Sequence, residues 1–437
     1  MDSMEPSFFV LICSPPAGLD PPKGGATMSG GLSVEESEIE ILDIYGDGGA
    51  KGLSDDKETK KCVKEFKKSS SDAAVKKIKE NFETLDHVTL NIGVTGNTGA
   101  GKSTFVNAIR GLSNDDEGAA DTGVTETTMK PTQYPHPTMP NVTIWDLPGI
   151  GTPKFKAKTY LSDVHFERYD FFIIVTSERF KENDISLAKA IKKKGRLFYF
   201  IRSKIDNDIN AEKNRRDYNK ERMLSKIRED CKKNLNSVGN PKVFLISSFN
   251  FNDYDFNNLI DTLERELPET KKHALVLSLP VYSLEVLQRK KRHLQKMIWL
   301  TAFGSGAIAV VPVPGLTLAC DYGMILSFLE SVFRSFGLED SSLQRLATRV
   351  QLNTMDLKAE IKSRFNDGVT HAAVRSLLAT PSMATIMTLK GLMSGAVPLG
   401  QLPAGAMSVP IMHYLLNKGL NEMENDGKSV LEKAQLH

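Results

Sequence analysis

The chain has 437 residues, 40% of them hydrophobic and 25% charged, the balance of a soluble globular protein and too long for one ordinary core, so two folded units are expected. Its 56 basic and 54 acidic residues leave a formal charge of +2, which argues against a nucleic-acid binder acting through bulk charge. The four cysteines, Cys13, Cys62, Cys231 and Cys320, form no C-x-x-C pair, so neither a zinc site nor a disulfide framework is expected and a reducing compartment fits.

Residues 1 to 55 mix Pro, Gly, Ser and acidic residues without a sustained period. They are expected to be a disordered tail, because they cannot bury enough apolar surface to offset chain entropy. The short apolar run Phe8–Cys13 has no basic segment before it and meets Pro15 and Pro16 at once, which is not the pattern of a secretory signal. Position 2 is Asp2, so no myristoylation is expected. The cytoplasm is the expected location. From Lys57 to Phe82 the chain turns Lys/Glu-rich, with Val63, Phe66, Val75, Ile78 and Phe82 at helical spacing, which predicts amphipathic helices within 56–85.

From His87 onward, short β-rich runs alternate with helical patterns. Strands are predicted at Val88–Thr95, Val142–Asp146, Phe171–Thr176, Leu197–Ile201 and Val243–Ser247. Helices are predicted between them at Ser103–Gly111, Ser186–Lys194, Asn219–Asn234 and Asn257–Leu267. That alternation specifies an α/β unit over 86–267 with a mainly parallel sheet covered on both faces. After Pro268 only helical patterns follow, broken at Pro280, Pro312, Pro314, Gly337 and Pro381. A helical domain over 268–437, packed with the N-terminal helices, completes the expected architecture. Its most apolar stretch, Met297–Leu329, is broken by Pro312 and Pro314 and interrupted by Asp321. The uninterrupted run falls short of the roughly 20 residues a span requires, so a buried helical hairpin is expected. The Gly/Ala/Met-rich stretch Met383–Met412 is read in the same way, as packed helix.

Four motifs mark the α/β unit as a nucleotide site. Gly96-Asn97-Thr98-Gly99-Ala100-Gly101-Lys102-Ser103, followed by Thr104, fits G-x-x-x-x-G-K-S/T, directly after a predicted strand and opening a predicted helix. Its glycines let backbone amides approach phosphates, and the helix N-terminus adds partial positive charge. Lys102 is expected on the β- and γ-phosphates and Ser103 on Mg2+. Asp146-Leu147-Pro148-Gly149 ends the strand Val142–Trp145. There Asp146 can hold magnesium through water and the Gly149 amide can meet the γ-phosphate. Ser203-Lys204-Ile205-Asp206 follows the strand Leu197–Ile201 and fits the guanine-reading N/T-K-x-D, with Asp206 accepting from guanine N1 and the exocyclic amine. Ser203 is shorter than the usual Asn or Thr, so a weaker contact from that position is expected. Ser247-Ser248 closes the set beneath the base. The order of these motifs, all at strand ends, selects GTP and GDP over adenine nucleotides.

Between the first two motifs lies Thr122-Gly123-Val124-Thr125-Glu126-Thr127-Thr128. One of these threonines is expected to close on magnesium and the γ-phosphate, and spacing does not choose which. Ile150 occupies the position where many GTPases carry a water-orienting glutamine. Hydrolysis is therefore expected to be slow, or completed by groups from another copy of the chain. A nucleotide-switched scaffold with negligible turnover is the alternative.

These residues resemble the immunity-related (interferon-inducible) GTPases. Thr122–Met129 is similar to that family's first switch, and Asp146-Leu147-Pro148-Gly149-Ile150-Gly151-Thr152-Pro153 to its second. Asp253-Tyr254-Asp255-Phe256 and Leu263–Pro280 are similar to its passage into a helical domain. Lys102 aligns the chain with the GKS members, while the first 55 residues and Ser203 depart from the common pattern. The resemblance implies a G domain set between N- and C-terminal helices, GTP-dependent self-assembly that activates hydrolysis, and peripheral recruitment to intracellular membranes in cell-autonomous defence. It also implies Thr128 as the magnesium threonine and Glu126 as a switch residue acting between copies.

Overall fold

The computed structural model describes residues 88–123, 128–150, 159–239, 241–308, 316–378 and 404–436. The tail over 1–55, the helices expected within 56–85, Glu126, and the breaks at Pro312, Pro314 and Pro381 lie outside the described residues, as does most of Met383–Met412.

The sheet-bearing unit comprises Leu85–Lys290, Glu339–Glu360 and Lys428–His437. Its strands are β1 (Leu90–Gly96), β2 (Thr132–Pro135), β3 (Val142–Asp146), β4 (Phe171–Thr176), β5 (Leu197–Arg202) and β6 (Val243–Leu245), in spatial order β2-β3-β1-β4-β5-β6. All neighbours are parallel except β2, which runs antiparallel to β3 with Thr132 opposite Asp146. Every residue of the central strand β4, Phe-Phe-Ile-Ile-Val-Thr, is buried, as expected for a parallel strand covered by helices on both sides.

The helices of this unit are α1 (Lys102–Ile109), α2 (Tyr160–Asp163), α3 (Glu182–Lys193), α4 (Ile205–Glu212), α5 (Lys220–Asn234), α6 (Phe256–Glu266) and α7 (Glu269–Ser278), with α10 (Asp340–Val350) and α11 (Thr354–Lys358) from later in the chain. Their starts are written locally. Asn219 caps α5 by accepting the Arg222 amide at 2.9 Å. A capping box with Asp184 at its third position opens α3. One sheet face packs Ile92 and Phe105 with Phe251, Phe256 and Tyr282, and Phe251 stacks on Phe256 at 3.7 Å between centroids. The other face packs Tyr169, Phe172, Phe180 and Phe200 against Leu187 of α3.

A second unit comprises, among the described residues, those within Lys291–Leu338 and Ile361–Gly427. It contains most of α8 (Leu284–Ile308), α9 (Leu316–Ser335), α12 (His371–Leu378) and most of α13 (Ala404–Lys433). Polar ties hold it internally. Arg364 grips Glu422 through two hydrogen bonds of 2.7 and 3.0 Å, and Asp426 Oδ1 accepts the amides of Lys362 and Ser363. No helix among the described residues is long and apolar enough to cross a membrane.

Candidate functional site

β1 delivers the chain into the phosphate loop. Gly96 has φ 134°, and a Cβ there would overlap the Val175 carbonyl of β4, so this position requires glycine. Gly99 and Gly101 also have positive φ, 75° and 85°, which folds the loop back to start α1 at Lys102. Lys102 Nζ donates to the Asn97 carbonyl at 3.1 Å. Asn97 Nδ2 in turn donates to the buried Asp184 at 2.9 Å, joining the loop to the start of α3.

A cleft opens over this loop. Thr98, Gly99, Gly101, Lys102, Ser103 and Thr104 form one wall. Asn114, Thr122, Gly123 and Thr128 come from the segment before β2, Gly149 from the loop after β3, and Lys204 from the loop after β5. Gly149 closes tightly on the phosphate loop, because a Cβ there would overlap Thr98 Oγ1. The Ile150 amide donates to the Gly96 carbonyl at 3.2 Å, and the Ile150 side chain is buried.

Two hydroxyl side chains from separate segments meet at Asp146. Ser103 Oγ donates to Asp146 Oδ2 at 2.5 Å, and Thr128 Oγ1 donates to the same oxygen at 2.8 Å. Asp146 Oδ1 is buried with no hydrogen-bonding partner. Burial raises the Asp146 pKa, opposed by the Ser103 hydroxyl, the Lys102 charge and the Thr128 hydroxyl. A dry carboxylate oxygen beside two hydroxyls is a hard donor set that fits magnesium, which binds through one or two protein oxygens plus phosphate and water. Among the described residues no group of three or more His, Cys, Asp or Glu side chains converges.

On the base side, Ser203 Oγ donates to the Ala100 carbonyl at 2.6 Å and reaches the Thr176 carbonyl at 3.0 Å. Short as it is, this side chain ties the Ser203–Asp206 segment to the Gly96–Ser103 loop. Lys204 Nζ donates to the Gly99 carbonyl at 2.9 Å, and its backbone is left-handed at φ 58°. Asp206 Oδ1 is buried without a hydrogen-bonding partner. Ser247 is fully buried, and its Oγ accepts the Phe249 amide at 3.3 Å, while Ser248 is half-buried. Asp206, Ser247 and Ser248 are not among the residues that line the cleft over the phosphate loop.

Sequence reasoning missed three supports. Asn107 of α1, wholly buried, clasps Ala120 by donating Nδ2–H to its carbonyl and accepting its amide on Oδ1, and donates to Asn114 Oδ1, anchoring the segment that leads to Thr122. A polar residue between the core positions Val106 and Ile109 was the available signal. Tyr160 is wholly buried, and its hydroxyl donates to the Pro148 carbonyl at 2.8 Å beside Thr95 Oγ1. Nothing in its local sequence marks it. Asp184 was readable only as an N3 cap, not as a partner of Asn97.

The sequence profile of the Interferon-inducible GTPase (IIGP) family matches residues 55–434. The chain belongs to the interferon-inducible GTPase family. It is 40% identical over 373 residues to Interferon-inducible GTPase 5 of Rattus norvegicus, a match spanning 84% of this chain and 81% of the relative. Interferon-inducible GTPase 1 of Mus musculus is 40% identical over 290 residues, 65% of this chain and 70% of that one. Among solved structures, a GTP-binding protein of Sulfolobus solfataricus in complex with GDP aligns with 54% of this chain and 67% of its own, at 20% identity and a TM-score of 0.26. This interferon-inducible GTPase family member thus has its family's sequence over the sheet unit and the helices that follow.

Proposed function

We propose that this chain binds GTP with magnesium in the cleft over the phosphate loop and hydrolyses it to GDP and phosphate. The observation that carries the reading is the convergence of Ser103 and Thr128 on Asp146, with one oxygen of that carboxylate dry and Lys102 close by. Lys102 and the amides of Gly96–Ser103 hold the β- and γ-phosphates, with Thr104 next in α1. Ser103, Thr128 and Asp146 hold the magnesium, which when bound neutralises charge on the β- and γ-phosphates. The Gly149 amide meets the γ-phosphate. Asp206 reads guanine, Lys204 flanks the base, and Ser247 and Ser248 lie beneath it. The nucleotide work belongs to 86–267, with 268–437 as the helical segment it drives.

Ile150 is buried and apolar where a water-orienting side chain would serve, so turnover in the isolated chain is slow. We extend the proposal to self-association in the GTP state, with Glu126 acting between copies, and to cell-autonomous defence at intracellular membranes, approached peripherally. The names of the relatives, which call them interferon-inducible, support only the defence role. The same Ile150 favours a second reading, a nucleotide-gated scaffold with negligible turnover. GTP turnover per molecule, measured across a wide range of protein concentration with Lys102→Ala as control, separates the two. Specific activity that climbs with concentration and vanishes in the variant supports the enzyme. Tight GTP binding with flat, near-zero activity supports the scaffold.

A further inference from the structure

Arg202 is the last residue of β5, immediately before the Ser203–Asp206 motif, and is 9% exposed. A guanidinium this deep must have its donors answered by the protein. Nη1 donates to the Ser203 carbonyl at 2.9 Å and to the Ser177 carbonyl. Nη2 donates to Asp208 Oδ2 at 2.6 Å. Asp208 lies in the first turn of α4, two residues past Asp206. Arg202, which ends the strand before the motif, is therefore fastened to Ser177 after β4, to the motif's own Ser203 and to the helix that follows.

The segment between those anchors needs such a brace. Lys204 takes a left-handed backbone conformation, which is unfavourable for a residue with a side chain. Asp206 keeps one carboxylate oxygen buried and unpartnered, the condition of an acceptor reserved for a ligand, and the aim of its carboxylate depends on how the first turn of α4 is held. We propose that Arg202 and Asp208 are positioning residues for base recognition: their ion pair, buried at the guanidinium and part-exposed at the carboxylate, fixes the first turn of α4 against the end of β5 and so aims Asp206 at the purine's exocyclic amine. This rests on the reading of Asp206 given above.

The test compares GDP with IDP, which lacks the exocyclic amine, on the full chain and on Asp208→Asn, Asp208→Glu and Asp206→Ala, with melting temperature recorded for each. The ratio of the two affinities is independent of the fraction of protein that is folded. Wild type is expected to prefer GDP by on the order of 10- to 100-fold, the range for a buried charged acceptor left without its donor. Asp208→Asn is expected to reduce that preference to within a few-fold, with IDP, which keeps N1–H for Asp206, weakened less than GDP. Asp208→Glu, which keeps the charge but displaces it by one methylene, is expected to fall between, and it decides the matter if the Asn variant does not fold. If either Asp208 variant weakens GDP and IDP equally, with a lowered melting temperature and the ratio unchanged, the pair is only structural and the inference is overturned. If the Asp208 variants keep the wild-type ratio while Asp206→Ala abolishes it, base reading by Asp206 stands and the positioning role fails. An unchanged ratio in Asp206→Ala overturns both.

Discussion

Asp146 collects two hydroxyl donors on one oxygen and keeps the other dry, and it is 1% exposed. Asp146→Asn preserves the shape and an acceptor for Ser103 but removes the charge that a divalent cation requires. Its magnesium-dependent gain in GTP affinity is expected to fall by about 10- to 100-fold, on the scale seen when metal-site partners are lost. Titrating a fluorescent GTP analogue with and without magnesium reads this directly, and an unchanged magnesium effect would remove Asp146 from the metal site. A different residue governs behaviour in acid. His136 is buried, Arg110, Lys290 and Arg345 face it, and its pKa is lowered to about 3, chiefly by burial. The Thr138 amide donates to its Nδ1 at 3.3 Å, which requires that nitrogen to be unprotonated. Below the ordinary value of about 6.5 the unfolded chain takes up a proton that the folded chain refuses. Stability therefore falls as pH drops from 6.5 towards 3, by roughly 2 kcal/mol at pH 5. Urea midpoints at pH 7 and pH 5 should show a smaller acid loss for His136→Leu than for wild type, and equal losses would show that His136 is not the acid-sensitive group.

At the scale of elements, the loop after β3 depends on α2. Tyr160 is wholly buried, and its hydroxyl is the donor to Pro148 in the loop that carries Gly149. Tyr160→Phe leaves the Pro148 carbonyl without that donor and is expected to cost about 1–3 kcal/mol, read as a lowered denaturant midpoint. A shift under roughly 0.5 kcal/mol would mean the carbonyl finds another donor. Whether such an element can be read from sequence depends on how much apolar pattern it carries. The strands Val142–Asp146 and Phe171–Thr176 were legible to the residue, because each is a short β-branched or aromatic run between turn residues. β2 was missed because Thr-Gln-Tyr-Pro has no apolar alternation and none of it is fully buried; its pairing with β3 creates it. α4 was missed because Ile-Asp-Asn-Asp-Ile-Asn-Ala-Glu is poor helix sequence. It exists because the left-handed Lys204 opens it and the carboxylates of Asp206 and Asp208 sit in its first turn. The phosphate loop, Asp146 and Asp206 were legible as contiguous motifs. Asn107, Asp184 and Tyr160 act through partners 12 to 87 residues away, and local sequence does not encode such pairings.

For the molecule as a whole, the division into two compact units has a thermodynamic signature. A nucleotide held in the sheet unit stabilises that unit by mass action, about 2.7 kcal/mol at a hundredfold excess over its Kd. Calorimetry is expected to resolve two transitions, of which GDP with magnesium raises one and leaves the other in place. A single transition that moves as a block would show that the units unfold together. The sheet's two borders constrain assembly as well. β2 ends in Pro135, which has no amide to offer a further strand, and β6 is three residues long. Short or proline-ended margins are how sheets avoid recruiting strands from neighbouring chains. Copies of this protein that gather on one another therefore have to meet through loops and helices, and an ordered assembly of them should not bind dyes that report a continuous cross-β spine.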